Sequence, residues 1–498
     1  MIDKGGRKMK KNKSIIIECL RNKEWETFCP KPDVRVGKGI PRRLCRRVGD
    51  DSSIFLGLMD SYEHRKGFFV GQLAEEDGNY IVVGTNGSGK SHFLMKPTLE
   101  TYSDPMVVLD FKGELEKHYA SALMKEEVKR PFIVWGKRGG GTYYEPFAII
   151  RANPSRKIQY IREITFALIA KPTDTKDGYW IDMARIFLTS ILIYGFCIGL
   201  NFIETIFLAQ SRSALELCKL INACEYEDAK MFIRDLGGLK SEHLTTIATE
   251  MRRHIVDITT DPDICEALSA NEDKEAFSWE QISTDAEAPH VFLQLEQDRI
   301  EQWGGIIRLL LTQLIRQLER RPEKHSPKGR YMNPLLLLLD EFPLLGKMDV
   351  ILNALTTLRS KKVHFYLVIQ SISQLDALYG KHGRITIVDN CQYKILLTIT
   401  EPDSQDYFSR LIGKVPSLQR GLSYSYCEDT KALTYTQQLQ ENRESLIWSE
   451  EFAFNQDIWL HTPFGFYSTI KLPVSVVKLS PWEIERKFDC YRRMKSAF

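Results

Sequence analysis

Eight consecutive residues carry the pattern of a phosphate cradle: Gly84-Thr85-Asn86-Gly87-Ser88-Gly89-Lys90-Ser91. The spacing Gly-x-x-x-x-Gly-Lys-Ser is that of a P-loop. Its glycines let backbone N–H groups close around phosphates without Cβ clashes. A helix opening at its end adds free donors and partial positive charge. Lys90 is placed to reach the β- and γ-phosphates, and the Ser91 hydroxyl to ligate Mg2+. ATP and Mg2+ are therefore the expected ligands.

A second constellation lies 250 positions downstream, where Leu335 to Leu339 run into Asp340 and Glu341. Five leucines suit a central strand buried on both faces. Ligands of open parallel sheets bind at the carboxyl ends of strands, which puts this acid pair beside the P-loop. Asp340 would hold Mg2+, directly or through water, and Glu341 would polarise the attacking water. Asp110 ends another strand and joins the candidate nucleotide-binding residues. Gln370 ends the run His364–Ile369; it either senses the γ-phosphate or serves the backbone at a strand end. Arg359 closes a helix with Ile351, Leu355 and Leu358 on one face. It is an arginine finger for a neighbouring subunit or a surface cation at a helix C-terminus, with Lys361 and Lys362 as competitors.

The elements that must hold these groups are legible in outline. Tyr80–Val83, Pro105–Asp110, Phe132–Trp135 and His290–Leu295 read as strands separated by helical patterns, which implies a parallel sheet covered on both faces. A long amphipathic helix follows, with Ile306, Ile307, Leu310, Leu314 and Leu318 on one face. Between these strands, Ser211–Ile221 and Thr245–Ile255 place apolar residues at helical spacing. The expected organisation is a basic arm over 1–60, the first part of a nucleotide-binding domain over 61–152 and an all-helical insertion over 153–285. The second part of the nucleotide-binding domain follows over 286–480, then a helical tail over 481–498.

Composition narrows the class. The chain has 498 residues, 43% of them hydrophobic and 27% charged, as in ordinary globular proteins. The net charge is +3, yet residues 1–50 hold 15 Lys/Arg against 6 Asp/Glu, leaving −6 for the rest. Nucleic acid must then be met locally, in a channel or on the basic arm, rather than by the whole surface. The ten cysteines include no Cys-x-x-Cys pair and read as reduced thiols. Ser14–Ile17 is too short for a secretory signal core. Ile186–Leu200 borders on the length a bilayer needs, but its place inside the nucleotide-binding core favours a buried helix.

Taken together, these residues resemble the type IV secretion coupling proteins, the TraG-like conjugation ATPases. Asp110-Phe-Lys112-Gly113-Glu114 is similar to that family's Asp-x-Lys-Gly-Glu motif, and Tyr144-Glu-Pro146-Phe to its Tyr-Asn-Pro turn. Trp180 with Ala184-Arg185 resembles a Trp…Ala-Arg helix. Leu339-Asp340-Glu341-Phe342-Pro343 followed by Leu345-Gly346 is close to the Asp-Glu-Phe box. Gln370-Ser-Ile-Ser-Gln374-Leu375 followed by Tyr379-Gly380 is the most family-specific run. Leu411-Ile-Gly413-Lys414 and Pro463-Phe-Gly465-Phe-Tyr467 also fit, so the resemblance spans about residues 65 to 475.

The resemblance implies an α/β fold: a RecA-like P-loop NTPase with a parallel central sheet and an inserted all-helical domain. It implies a homo-hexameric ring with ATP sites between subunits. The family's spacing puts its trans-acting arginine on Arg359 and its motif glutamine on Gln370. The implied work is handing single- or double-stranded DNA with an attached relaxase, or effector proteins, to a membrane-embedded secretion channel from the bacterial cytoplasm. The family usually carries two membrane helices before the P-loop. Their absence here leads to the expectation of a soluble member docked peripherally on a separate membrane anchor. Two alternatives stand beside this motor: a docking platform that uses ATP to switch assembly, and a chromosomal DNA translocase, against which the Gln370–Gly380 run argues.

Overall fold

The computed structural model describes residues 40–47, 52–58, 68–125, 128–137, 140–170, 178–234, 236–270, 273–329, 332–427 and 432–471. Three strands, β1 (Cys45–Arg47), β2 (Ser53–Gly57) and β3 (Phe68–Leu73), form a small antiparallel sheet in the order β1-β3-β2. Leu44, Ile54, Phe55 and Leu56 are buried there, and Leu58 bridges to Ile470. Of the span expected as an arm over 1–60, Cys45–Arg47 and Ser53–Gly57 stand in this sheet. The apolar run Ile54-Phe55-Leu56, with Leu58, carries this stretch into the core. Residues 1–39 and the expected tail over 481–498 lie outside the described residues.

The next strands are β4 (Tyr80–Val83), β5 (Met106–Asp110), β6 (Phe132–Trp135), β7 (Thr142–Tyr143), β8 (Glu275–Ala276) and β9 (His290–Gln294). They are followed by β10 (Leu335–Leu339), β11 (Val363–Ile369), β12 (Tyr393–Leu396), β13 (Lys414–Cys427), β14 (Ala432–Ser445), β15 (Ile458–Thr462) and β16 (Gly465–Thr469). The main sheet has nine strands in the order β16-β15-β12-β4-β11-β10-β5-β9-β6. β12 through β6 are parallel, and β15 and β16 add an antiparallel edge. The period-two alternation of side chains divides each central strand between two cores. Leu335, Leu337 and Leu339 face the core shared with the helical region, whereas Leu336 and Leu338 face the core under the small antiparallel sheet. Ile81 and Val83 against Tyr80 and Val82 repeat the division on β4. A strand with apolar residues on both faces suits a central place, where both faces are covered, and the leucine run lies mid-sheet.

The helical region leaves and re-enters through a neck. β7 pairs with β8 in parallel, and Tyr144 N–H donates to Ala267 O. This pairing brackets residues 144–274, beside the expected insertion over 153–285. Two-residue strands carry no periodicity to read, and helix Trp279–Thr284 packs on the nucleotide-domain helix Ile300–Leu318. Capping boxes at Asn201/Glu204 and Ser213/Glu216 start two of the inserted helices. The 20-residue helix Gly178–Cys197 is long and apolar enough to cross a membrane, with mean hydropathy 1.4. It packs instead against helices Lys157–Leu168, Phe202–Ser211, Glu227–Ile233 and Ser241–Thr260, and the Ser190 hydroxyl donates to Ala229 O at 2.8 Å. A 14-residue-per-strand ribbon, β13 with β14, rises from Gly413 (φ 104°) and has no counterpart in the sequence reading.

Candidate active site

The P-loop joins β4 to a helical turn at Ser91–Met95 and then to helix Lys96–Thr101. Gly87 and Gly89 have φ of 77° and 90°, in the left-handed region that glycine enters without strain. A Cβ on Gly89 would lie 2.2 Å from the Phe93 ring, so that position accepts nothing larger. Gly87 faces open space, the side from which a phosphate would approach. The loop is anchored behind: Gly84 N–H donates to Ile369 O at 3.3 Å, and Thr85 N–H to Thr398 O at 2.9 Å. Lys90 is buried, and its Nζ donates to Gly84 O (2.7 Å) and Thr85 O (3.3 Å). Burial holds its pKa below the ordinary lysine value, against the pull of Glu341 and Asp340. The buried Ser88 hydroxyl has no hydrogen-bond partner among the described residues. A cradle with no room for a Cβ at its turn, a buried cation and an orphan hydroxyl fits a polyphosphate.

Across the cradle stands the acid pair. β10, β11 and β4 are adjacent and parallel, so the ends of these three strands converge. Asp340 and Glu341 are 2% and 6% exposed. Burial, then the neighbouring Glu341, pushes the Asp340 carboxyl up to about 7, while Lys112 and Lys90 pull it down. Glu341 is left-handed at φ 45°, ψ 44°, a conformation costing a residue with a Cβ about 1–2 kcal/mol. That turn presents its carboxylate to Gln370, whose Nε2 donates to Glu341 Oε2 at 2.9 Å. Gln374 Oε1 in turn accepts from Gln370 N–H at 3.0 Å. Gln370 is thus tied to Glu341 rather than to strand-end backbone groups. Among the described residues no cluster of three or more His, Cys, Asp or Glu is set to hold a metal ion. Ser91 and Asp340 beside a phosphate cradle suit Mg2+, which is typically held by one or two protein oxygens plus phosphates.

Asp110 ends β5, whose Leu109 pairs with Leu339 of β10, whereas Arg359 lies at the opposite edge of the sheet. The Asp110 carboxylate is wholly buried and accepts three backbone N–H groups: Lys112 (3.3 Å), Leu115 (3.0 Å) and Glu116 (2.9 Å). It builds the turn before helix Glu114–Met124, with Gly113 at φ 62°. Arg359 lies just before β11, at the amino edge of the sheet. Seven strand residues at about 3.3 Å each separate that edge from Gln370, roughly 23 Å, so Arg359 is remote from its own P-loop. Its side chain is 49% exposed, 4.0 Å from Asp77. Lys361 is committed to Glu319 O and Arg321 O, and Lys362 to Glu75 at 2.8 Å.

The turn that Asp110 builds presents two residues to which the sequence reading gave no role. Exposed Lys112 acts electrostatically on both Asp340 and Lys90. The Glu114 carboxylate is bonded to Lys96 Nζ (3.2 Å) and to the Ser91 hydroxyl. Burial alone would raise its pKa; those bonds outweigh it and hold Glu114 below the usual carboxylate range. The signal was available: charges on either side of a glycine, directly after a strand.

Residues 57–454 match the family described as Type IV secretory system Conjugative DNA transfer. The chain is 26% identical over 394 residues to the protein VirD4 of Rhizobium rhizogenes, covering 74% of this chain and 56% of VirD4. It spans half to 60% of the length of the curated relatives it matches. Among solved structures, the unbound bacterial conjugative coupling protein TrwBdeltaN70 superposes with a TM-score of 0.62 at 16% identity, covering 88% of this chain and 92% of that one. The plasmid coupling protein TrwB in complex with ADP and Mg2+ gives 0.57 at 16% identity, covering 86% and 97%. These likenesses show a RecA-like P-loop NTPase fold.

Proposed function

Because the chain belongs to the type IV secretory system conjugative DNA transfer family, we propose that it is an ATP-hydrolysing coupling protein that drives DNA, with any protein attached to it, toward a secretion channel. One observation carries the catalytic part: Lys90, Asp340, Glu341 and Gln370 meet at the ends of three adjacent strands around a glycine cradle. Residues Gly84 to Ser91 wrap the phosphates with backbone N–H groups. Lys90 exchanges its two carbonyl partners for phosphate oxygens. Ser91 and Asp340 would hold Mg2+, which when bound neutralises charge on the β- and γ-phosphates. Glu341 takes the proton of the attacking water, and Gln370, bonded to its Oε2, fixes where that carboxylate points.

Arg359 completes the site of a neighbouring copy, since its own P-loop is out of reach. Turnover then depends on assembly, and a homo-hexameric ring is the proposed active form. Relaxase or effector proteins and a membrane-embedded channel or anchor are the proposed partners, met at the cytoplasmic face of the membrane. The test is steady-state ATP hydrolysis by the purified chain over a range of concentrations, with and without single-stranded DNA. Turnover steeper than linear in protein and raised by DNA supports the reading. Turnover linear in protein and indifferent to DNA refutes the motor and supports the docking platform.

A further inference from the structure

A cavity of about 1160 Å³ opens between the helical insertion and the nucleotide-binding domain. Its walls are helix Lys157–Leu168 with the turn before it, the start of helix Gly178–Cys197, one side of helix Ile300–Leu318 and the segment after the acid pair. Seven Lys/Arg line it against three Asp/Glu. Each acid already has a cation: Asp228 with Lys157 at 2.7 Å, Glu163 with Arg316 at 3.6 Å and Asp349 with Lys347 at 3.5 Å. Arg156, Arg162 and Arg308 have no carboxylate partner among the described residues. Arg308 is the most telling. Its guanidinium is half-buried, enough for desolvation to lower its pKa, and its hydrogen bonds go to two carbonyls, Ala167 O at 3.4 Å and Leu345 O at 3.2 Å. A desolvated cation with no counter-ion is costly unless a ligand supplies the charge.

The wall also carries an aromatic platform. Phe166 is 47% exposed, with the Arg185 guanidinium 4.3 Å and the Arg162 guanidinium 5.8 Å from its ring centre. An exposed ring flanked by guanidinium groups and set among unpaired cations matches phosphate joined to a planar base. We propose that this cavity is a second nucleotide-chemistry site, separate from the P-loop, taking phosphates with Arg156, Arg162 and Arg308 and stacking a base on Phe166. The ligand is a short stretch of single-stranded DNA or a free nucleotide. The strand as source rests on the proposed function, whereas the site itself does not.

The position gives such a ligand a path to ATP turnover. Leu345, which Arg308 grips, ends the short turn Phe342–Leu345 directly after Glu341. Lys347 and Asp349 lead into helix Asp349–Thr357, and Arg359 follows it. Arg185 feels the charge of Asp349 across the cavity. Phosphates drawing Arg308 and Lys347 inward act on the one segment that joins the acid pair to the arginine offered to the next subunit.

The experiment is fluorescence anisotropy on the full chain with two probes, a labelled eight-nucleotide oligo-dT and a labelled ADP, at several salt concentrations. The variants are Arg162→Glu and Phe166→Ala, both at exposed positions, and a melting curve matching the parent establishes that each is folded. Oligo-dT binding weakened about tenfold or more in each variant supports the site with a strand as source. In Arg162→Glu the salt slope should also fall by about 0.7 or more, the value of one single-strand phosphate contact. Labelled ADP falling from two bound per chain to one, with oligo-dT unchanged, supports the site with a free nucleotide as source. Both probes binding both folded variants within twofold of the parent overturns the site. Absence of ATP turnover by the parent chain would defeat the proposed function while leaving these binding results standing.

Discussion

The nucleotide crevice and the interdomain cavity both gather cations for phosphate, but they are built differently. In the crevice nearly every charge is already answered: Lys90 by two carbonyls and the nearby acid pair, Asp110 by three N–H groups, Glu114 by Lys96 and Ser91. Its donors are largely backbone, held by strand ends and two left-handed glycines. In the cavity the cations sit on long side chains from four separate stretches of sequence, and three have no carboxylate partner among the described residues. The difference follows from task. A site that stabilises a transition state needs donors fixed before the reaction, because reorganisation would be charged to the barrier. A site that only holds a polyanion can rely on field strength and let flexible side chains adapt.

The largest effects should come from breaking the crevice. Arg359→Ala should lower turnover by about 10³–10⁵ while nucleotide binding persists. Lys90→Ala should bring turnover to background. Mixing the two inactive variants should restore part of the activity, because a mixed ring pairs an intact P-loop with an intact arginine. If the mixture stays as dead as its components, a finger acting between subunits is wrong. Glu341→Gln comes next, with a loss of about 10²–10⁴ in turnover and nucleotide affinity kept. A loss of affinity as large as the loss of turnover would instead assign Glu341 a binding or structural task.

How far each region could be read from sequence follows from the same contrast. The crevice was legible because backbone chemistry demands particular residues at fixed spacing: glycines at Gly87 and Gly89, a lysine and serine after them, acids after a five-leucine strand. The central strands were legible because burial on both faces leaves unbroken apolar runs. The two-residue neck at β7 and β8 was not, since it is shorter than any period. The N-terminal sheet was hidden because the short apolar run Ile54-Phe55-Leu56 follows the cation cluster at Arg42, Arg43, Arg46 and Arg47. Asp110 was expected at the nucleotide because it is an acid at a strand end, like Asp340; the hydrogen bonds it accepts from the following turn had no signal in the sequence. The cavity had no signature at all, because Arg162, Arg308 and Lys347 become neighbours only after the helical insertion docks.

Asp110 offers a smaller and sharper test. Asp110→Ala strips charge-assisted acceptors from three backbone N–H groups in a buried turn, so it should destabilise the fold by about 2–3 kcal/mol in urea unfolding. Nucleotide affinity, measured under conditions where the variant is folded, should move less than threefold. Were affinity to fall tenfold or more at intact stability, Asp110 would belong with Asp340 after all.

Salt separates the two regions with no mutation, and its effect is the smallest. Three phosphate contacts on a single strand give a slope of about 0.7 × 3 in the logarithm of affinity against the logarithm of salt. Raising salt fourfold, from about 50 to 200 mM, should therefore weaken oligo-dT binding about 20-fold. The P-loop should respond much less, because its contacts are short, partly buried and dominated by backbone dipoles that mobile ions do not displace. Equal salt sensitivity for oligo-dT and ATP would mean that both ligands meet the protein in the same way, and the contrast between a preorganised crevice and an adaptable cavity would lose its basis.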